Sequence, residues 1–226
     1  MDRVISIDGP SGSGKTTVAC KIASLLKVEW LSSGAVYRAV TKLVLDRLIR
    51  KSNTSEIISL IEGVRVEVYG EKVSIDSVDV TEFLHVPEID REISFISAIS
   101  QVREMVNFIL RKQINCKPCI VEGRDIGTEV FPEASIKIYL DSSSRSRALR
   151  RANQRGVGID SMEFDQIENN IKERDFNDRN KEMGALRISK DANYIDTTHL
   201  TVKQVCDMVI TLINNNPRKD ALISYE

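Results

Sequence analysis

The segment Gly9-Pro-Ser-Gly-Ser-Gly-Lys-Thr16 matches every fixed position of the pattern G-x-x-x-x-G-K-[ST]. An apolar run with Val4, Ile5 and Ile7 precedes it, and a segment with helical apolar spacing follows it, so the context is strand, glycine-rich loop and helix. Glycines let the backbone turn several N–H groups toward one point, and a helix N-terminus adds positive potential there. We therefore predict a polyphosphate-binding loop rather than a chance match in a surface loop.

The side chains at the end of this loop predict its chemistry. Lys15 would reach the β- and γ-phosphates of a nucleotide, and the Thr16 hydroxyl would bind the Mg²⁺ that bridges them. Mg²⁺ is thus the expected cofactor. The predicted nucleotide contacts are Gly9, Pro10, Ser11, Gly12, Ser13, Gly14, Lys15, Thr16 and Thr17.

The 226-residue chain is long enough for one large core with an inserted subdomain. Its 32 basic and 33 acidic residues nearly balance, so no overall field would attract nucleic acid or an anionic membrane, and neither is an expected partner. The first strand follows Met1-Asp2-Arg3 directly, and no stretch approaches the length of a membrane span. We expect a cytoplasmic protein, and a monomer because no interface signature stands out.

The four cysteines do not suggest a disulfide framework in a chain of this length. The segment Cys116-Lys-Pro-Cys119 has the spacing of a redox pair or half a zinc site, but the chain has no second such pair and only His85 and His199. We favour two small residues at the entrance of a strand over metal or redox chemistry.

The first part of the chain predicts a βαβ unit followed by helices. Helical spacing runs from Val18 to Leu26, residues 28–31 form a short strand, and residues 36–49 and 54–61 form two further helices. From 64 to 80 the apolar residues alternate around a turn at Gly70-Glu71, as in an antiparallel hairpin or three-strand meander. Because one-sided alternation interrupts a parallel α/β pattern, we interpret this segment as an insertion.

The parallel pattern then resumes. We predict helical structure over 87–113, strands over 119–121, 136–140 and 194–195, and helices over 142–154 and 162–178. Thr201 and Gln204 form a capping box that opens the terminal helix, and residues 214–226 are expected to be loosely ordered.

Arginines gather where phosphates would lie. Arg147, Arg151 and Arg155 recur every four residues, share one helix face, and follow a predicted strand end, where open α/β sheets place ligands. A solvated basic face is the alternative, but almost no acid lies within the run. A mobile arginine lid over transferring phosphates fits better.

Two further segments lie at predicted strand ends. Residues 32–38 offer a helix N-terminus and the fork donor Arg38, although a capped helix with a surface arginine explains them equally well. Residues 121–128 place Arg124 and Asp125 between two glycines, which a plain turn rarely does.

Other phosphate-loop classes are less well matched. Asn180-Lys181 is not followed by the aspartate of a guanine-reading N-K-x-D, and no acidic strand of the kind that motors and helicases need is evident.

Four segments together resemble the bacterial cytidylate kinases, of the nucleoside monophosphate kinase group: IDGPSGSGKTT (7–17), SSGAVYRA (32–39), EGRDIGTEVFP (122–132) and IKERDFNDRNK (171–181). The resemblance runs from about Val4 through the terminal helix. It implies an α/β fold of the P-loop class, with three α/β/α layers, a parallel central sheet, an antiparallel-sheet insert in the monophosphate-binding region and an arginine-rich lid. It implies one kinase domain with its core at 1–63 and 114–226, the insert at about 64–113 and the lid at about 142–160.

The resemblance also implies the reaction: transfer of the ATP γ-phosphoryl group to CMP or dCMP, giving ADP and CDP or dCDP. Arg38 and Arg124 would clamp the acceptor phosphate, Ser94, Arg103 and Asp125 would read the cytosine edge, and Ser33, Arg174 and Asp178 would lie near the ribose. The expected catalytic residues are Lys15, Arg124, Arg147 and Arg151. The expected substrate-binding residues are Ser33, Tyr37, Arg38, Ser94, Arg103, Arg124, Asp125, Arg174, Asp178 and Lys181.

Three departures from the family pattern bear on the acceptor. Lys181 replaces a usual arginine and so lacks a bidentate fork, residues 182–186 differ from the usual small residue, proline and leucine, and residues 84–86 lack the insert's common arginine. The alternatives are a kinase for UMP, AMP or a shikimate-like acceptor, or a protein that switches on ATP without fast chemistry. A switch needs only one nucleotide site, and the second arginine set argues against it.

Overall fold

The computed structural model describes residues 3–114 and 117–222. The strands within these residues are β1 (Val4–Asp8), β2 (Glu29–Ser32), β3 (Val66–Tyr69), β4 (Lys72–Ile75), β5 (Val78–Asp79), β6 (Cys119–Gly123), β7 (Ile136–Asp141) and β8 (Asn193–Asp196). The helices are α1 (Lys15–Leu26), α2 (Ser33–Asp46), α3 (Thr54–Glu62), α4 (Pro87–Ile96), α5 (Ser100–Ile114), α6 (Ser144–Arg155), α7 (Met162–Arg179) and α8 (Val202–Asn214).

Five strands form a parallel central sheet in the order β2-β6-β1-β7-β8. The register pairs Ser32 with Glu122, Asp8 with Gly123, and Asp141 with Asp196, so the carboxyl ends of the strands lie side by side. Ligands of open α/β sheets bind at this edge. The predicted phosphate loop and both arginine segments therefore reach one side of the molecule.

Helices cover both faces of the central sheet. Alternate residues of β1 point to opposite faces, because side chains alternate along a strand. Val4 packs in one buried cluster with α2 and α5, whereas Ile5 and Ile7 pack in another with α1 and α8. The predicted three-layer α/β/α arrangement is confirmed.

A second, antiparallel sheet has the order β3-β4-β5, as the alternating segment predicts. Its turn at Gly70 pairs with the edge of the central sheet: the Gly70 N–H donates to the Trp30 carbonyl at 2.7 Å, and its carbonyl accepts from the Ser32 N–H at 3.1 Å. Val68 and Val73 belong to the same buried cluster as α2 and α5. The antiparallel sheet is therefore packed continuously with one face of the central sheet.

The predicted helical stretch 87–113 divides into two helices. α4 and α5 meet at an angle of 103° around Ser97–Ile99. The last turn of α4 tightens to i→i−3 bonds at Ala98 and Ile99, and Arg103 donates to the Ser97 carbonyl at 3.0 Å. The break thus brings Ser97 and Arg103 together, which one straight helix would not do.

Two further features differ from or add to the prediction. The segment Ile126–Val130 after β6 forms a π-helical turn, which periodicity did not indicate. The tail is not loose throughout the described residues, because Leu222 is buried against α8 and β1. No single helix in the described ranges is long and apolar enough to span a membrane. The helices α4 and α5 have that length and apolarity only when they are counted together as one bent pair.

Candidate active site

The phosphate loop joins β1 to α1 in the predicted place. Gly9 passes so close to β7 that a Cβ atom there would lie 2.0 Å from the Leu140 carbonyl oxygen, and Gly12 and Gly14 have positive φ. The Lys15 ammonium folds back and donates to the Pro10 carbonyl at 2.8 Å. Burial and the nearby Arg124 lower the pKa of Lys15 to about 7. A buried cation this short of counter-charge would gain from a polyphosphate.

Oxygen ligands lie at the end of the loop. The Thr16 hydroxyl donates to the Glu122 carboxylate at 3.3 Å, and the Ser32 hydroxyl also donates to that carboxylate. Glu122 is the next-to-last residue of β6, beside β1, and is buried. Hydroxyl and carboxylate oxygens are the groups that Mg²⁺ accepts in phosphate-transfer sites, where most of its other ligands are phosphate oxygens and water. The residues at this position therefore fit the predicted ion.

Three arginines of α6, Arg147, Arg150 and Arg151, line the cleft that contains the loop from Ser11 to Thr17. Arg147 is only 3% exposed; its Nε donates to the Ser142 carbonyl at 2.8 Å, and Nη1 donates to the Ser11 carbonyl at 3.1 Å and to Asp175 at 3.0 Å. Arg147 thus holds the loop against α6 and α7. Arg151 keeps its guanidinium nearer the surface, 30% exposed.

A second cleft adjoins the first and shares Ser11, Gly12, Lys15 and Thr16 with it. All the predicted substrate-binding residues line it: Ser33, Tyr37, Arg38, Ser94, Arg103, Arg124, Asp125, Arg174, Asp178 and Lys181. They come from α2, α4, α5, α7, the turn after β6 and the segment after α7. Residues separated by more than half the chain are therefore brought into one site beside the phosphate loop.

Arg103 and Asp125 form a buried ion pair in the wall of this cleft, with side chains 4% and 5% exposed. The Arg103 guanidinium lies 5.7 Å from the centre of the Tyr37 ring, close enough for a cation–π contact. Its Nε has no partner within the described residues. The pair is thus fixed in place before any ligand binds.

A second charged cluster surrounds Asp178. Its carboxylate accepts from the Arg124 Nε at 3.1 Å and from the Lys181 ammonium at 3.0 Å. Burial alone would raise the pKa of Asp178, but Arg124 and Lys181 lower it to about 2. One turn before it, Arg174 is nearly buried, and burial and Arg124 lower its pKa to about 10. An anion in the cleft would relieve this excess of positive charge.

Arg38 approaches the cleft from α2. Its guanidinium donates to the Leu84 carbonyl at 3.0 Å and to Asp90 of α4 at 2.7 Å, and Asp90 also accepts from Arg151 at 3.3 Å. Arg38 is therefore held on the insert side of the cleft.

Comparison with protein families shows the family to which the chain belongs. The model of the family described as cytidylate kinase matches residues 5–215, nearly the whole chain. The chain belongs to the cytidylate kinase family. The prediction from sequence is thereby confirmed, as is its consequence that the protein is a phosphotransferase.

Curated relatives agree with the family match. The chain is 38% identical over 216 residues to the cytidylate kinase of Borrelia hermsii, covering 93% of this chain and 98% of that one. It is 36% identical over 212 residues to the cytidylate kinase of Alkaliphilus oremlandii, covering 92% and 96%. Both similarities extend over more than nine-tenths of the chain.

Solved structures support the fold. An uncharacterised protein from Eubacterium ventriosum superposes with a TM-score of 0.51 at 17% identity, over 94% of this chain and 98% of that one. At that identity the likeness concerns the fold alone.

Sequence reasoning missed several acidic residues of the site. Glu122 lies in the segment 122–132, but the sequence analysis did not predict a carboxylate beside the phosphate loop. The feature that could have indicated it is an acidic residue directly after the apolar run 119–121. Asp8 was also missed: its carboxylate accepts from the Ile126 and Gly127 N–H groups at 2.8 and 2.7 Å. Burial outweighs these bonds and raises its pKa to about 7. Asp90 and Asp175 had no motif around them.

The unusual segment 182–186 packs directly on the Arg103–Asp125 pair. Gly184 has φ of +65°, and a Cβ atom there would lie 1.7 Å from the Arg103 Cζ. Its N–H donates to the Glu129 carboxylate at 3.0 Å, and Leu186 N–H donates to the Asp178 carbonyl at 2.7 Å. This segment therefore forms part of the wall of the second cleft.

Lys181, another of the three departures, also donates to the Ser97 hydroxyl at 3.1 Å. Of the cysteine pair, Cys116 lies outside the described residues. Cys119 begins β6 and is buried, and burial followed by Glu29 raises the pKa of its thiol to about 12. A thiol in that state is unreactive at neutral pH.

Proposed function

We propose that this protein transfers the γ-phosphoryl group of ATP to CMP, and to dCMP as a second acceptor. The main support for the proposal is that two clefts adjoin at Lys15 and Thr16. The phosphate loop lines one cleft, and fixed arginines and a buried Arg–Asp pair line the other. A donor and an acceptor phosphate bound in them would meet at the shared residues. Family membership supports the same reaction.

On the donor side, the loop N–H groups and the N-terminus of α1 bind the phosphates, and Lys15 leaves the Pro10 carbonyl for them. The Thr16 hydroxyl, with the Glu122 carboxylate behind it, would hold Mg²⁺. The bound ion would supply positive charge that offsets the charge developing on the phosphates. The loop keeps its shape because Arg147 anchors it through the Ser11 carbonyl.

On the acceptor side, Arg38 and Arg124 bind the CMP phosphate, and Arg174 lies beside them toward the ribose. Their excess positive charge, expressed in the lowered pKa of Arg174, is what that phosphate satisfies. Asp178 lies at the ribose and keeps Arg124 and Lys181 oriented. Asp125 accepts from the exocyclic amine of cytosine, and Arg103 donates to its carbonyl oxygen, so uracil loses one of the two contacts.

The transfer itself is an in-line displacement. An oxygen of the acceptor phosphate attacks the γ-phosphorus, and the bond to the β-phosphate oxygen breaks with ADP as the leaving group. The attacking phosphate is already ionised, so a general base is dispensable. Lys15, Arg124 and Arg151 stabilise the charge that spreads over the equatorial oxygens. Closure of α6 over the loop excludes water, which would otherwise accept the phosphoryl group.

We also propose the division into a core, an insert at about 64–113 and a lid at about 142–160. In support of the lid, Ala148 and Ala152 of α6 pack with Phe164, Ile167 and Ile171 of α7 in a buried cluster that is separate from those beside the central sheet. The cytoplasmic location, the monomeric state and the absence of nucleic-acid and membrane partners stay predictions. Light scattering on the purified protein tests the monomeric state.

An acceptor panel tests the function. ADP formation from ATP and Mg²⁺ is measured with CMP, dCMP, UMP, AMP, GMP and shikimate, each alone. We expect strong stimulation by CMP and dCMP only. Stimulation by another acceptor alone would refute the cytosine assignment while keeping the kinase, and no stimulation by any of them would refute the kinase.

A further inference from the structure

Asp90 stands between two arginines that belong to different parts of the site. Its Oδ1 accepts from Arg38 of α2 at 2.7 Å and its Oδ2 accepts from Arg151 of α6 at 3.3 Å. Asp90 itself lies on α4, in the insert. One carboxylate therefore joins the insert, the core and the arginine-rich helix.

The contact is not an ordinary surface ion pair. The side chains of Asp90, Arg38 and Arg151 are 25%, 16% and 30% exposed. By contrast, Glu88 on the same helix pairs with Arg91 at 58% and 67% exposed. Partly buried charges are screened less by salt and water. Burial would raise the pKa of Asp90, but Arg38 and Arg151 lower it, so the carboxylate is charged at neutral pH.

Arg38 has hydrogen-bond donors left over. It uses one bond to the Leu84 carbonyl and one to Asp90, whereas a guanidinium carries about five N–H groups. Arg38 also lines the acceptor cleft. Asp90 therefore holds Arg38 from one side and leaves its other donors for a phosphate, as outer partners hold the ligands of a metal.

Arg151 lines the neighbouring cleft with the phosphate loop. Without a shared anion, Arg38 and Arg151 would repel each other, and Arg174 adds to the positive charge around Asp90. The negative charge of the Asp90 carboxylate, which lies between Arg38 and Arg151, offsets this repulsion before any phosphate binds.

We propose that Asp90 is a positioning residue for the transfer reaction: its two oxygens hold Arg38 and Arg151 ready for the phosphates and so tie α6 to α4 across the site. The inference rests on the proposed function for its kinetic consequence and on geometry alone for the tie. Asp90 has no contact with the reacting atoms in this account.

Kinetics with CMP test the positioning role, with Glu88→Gln as the matched control on the same helix. Asp90→Asn keeps the side-chain volume and removes the charge, so we expect kcat/KM for CMP to fall about tenfold, against less than about twofold for Glu88→Gln. Asp90→Glu should recover part of the loss. Because the closer contact of Asp90 is with Arg38, Asp90→Asn combined with Arg38→Gln should cost less than the sum of the two single losses. Equal kinetics of Asp90→Asn and Glu88→Gln, or losses that add fully in the double variant, would overturn the proposal.

Amide hydrogen exchange tests the tie without any substrate. In the ligand-free protein, Asp90→Asn should speed exchange across α6, residues 144–155, and Glu88→Gln should not. Unchanged exchange would refute the tie even if the kinase is active. If Asp90→Asn speeds exchange across α6 but the wild-type protein shows no transfer to CMP, the proposed function is refuted and the tie is kept.

Discussion

At the level of single residues, Lys15 belongs to the most specific motif in the chain, and burial disfavours its charged form. In the ligand-free protein its ammonium is buried, donates to a backbone carbonyl and has a pKa lowered to about 7. The sequence predicted its role from the loop pattern, but not its titration, which depends on burial and on the distant Arg124. Spacing within a motif says nothing about charges that arrive from the other half of the chain.

The titration of Lys15 predicts how ATP binding depends on pH. Polyphosphate favours the protonated lysine, so its pKa must rise on binding, and the free protein must take up a proton when the pH lies above about 7. We expect ATP affinity to fall as the pH rises from 7 to about 9, with proton uptake visible by calorimetry in buffers of different ionisation enthalpy. Lys15→Met serves as the control, and the same proton uptake in that variant would contradict the assignment.

The proposed contact of Asp125 with the base predicts a preference for CMP over UMP. Asp125→Asn turns an acceptor into a mixed donor and acceptor, so the ratio of kcat/KM for CMP to that for UMP should fall by about tenfold or more. It also leaves Arg103 buried without its counter-charge, which should lower the free energy of unfolding by about 3–5 kcal/mol. Denaturant unfolding and kinetics with both acceptors measure the two effects. Glu133→Gln, at an exposed position in the following loop, is the control; an unchanged CMP-to-UMP ratio in Asp125→Asn would remove it from base recognition.

At the scale of elements, periodicity predicted the helices and strands well because each has a long apolar stripe or a buried run. It failed at the α4–α5 break, where apolar spacing continues through Ser97–Ile99 and only the Arg103 bond to Ser97 shows why the chain turns. It also failed at the π-helical turn 126–130, whose backbone is held by Asp8 from β1. Both depend on contacts between segments far apart in the sequence.

The segment 182–186 allows a sharp test at this scale. Gly184→Ala would place a methyl group onto the Arg103 guanidinium, so we expect a raised KM for CMP, an unchanged KM for ATP and a loss of stability above the roughly 1 kcal/mol that a strained φ costs. Gly156→Ala is the matched control, since Gly156 has φ of +70° with nothing within 4 Å of the added Cβ. If the two variants lose the same stability and keep the same KM for CMP, the segment does not support the acceptor cleft.

At the scale of the whole molecule, the sheet order explains why sequence reasoning found so much of the site. Parallel strands place every segment that follows a strand at one edge, so motifs after β1, β2 and β6 had to meet. The acidic partners were harder to predict. Asp90 and Asp175 lie in mid-helix, and only the packing of α4 on α2 and of α7 on α6 brings them to arginines.

Transfer of phosphate between two bound nucleotides can be followed with labelled phosphate. ATP labelled in the γ-phosphate is incubated with CMP and Mg²⁺, and the label in CDP and in free phosphate is separated and counted. We predict that nearly all released label appears in CDP, and that Lys15→Ala, with an unchanged circular dichroism spectrum, lowers this transfer by about a hundredfold or more. Label that appears in free phosphate alone, or transfer that is unaffected by Lys15→Ala, would contradict the account.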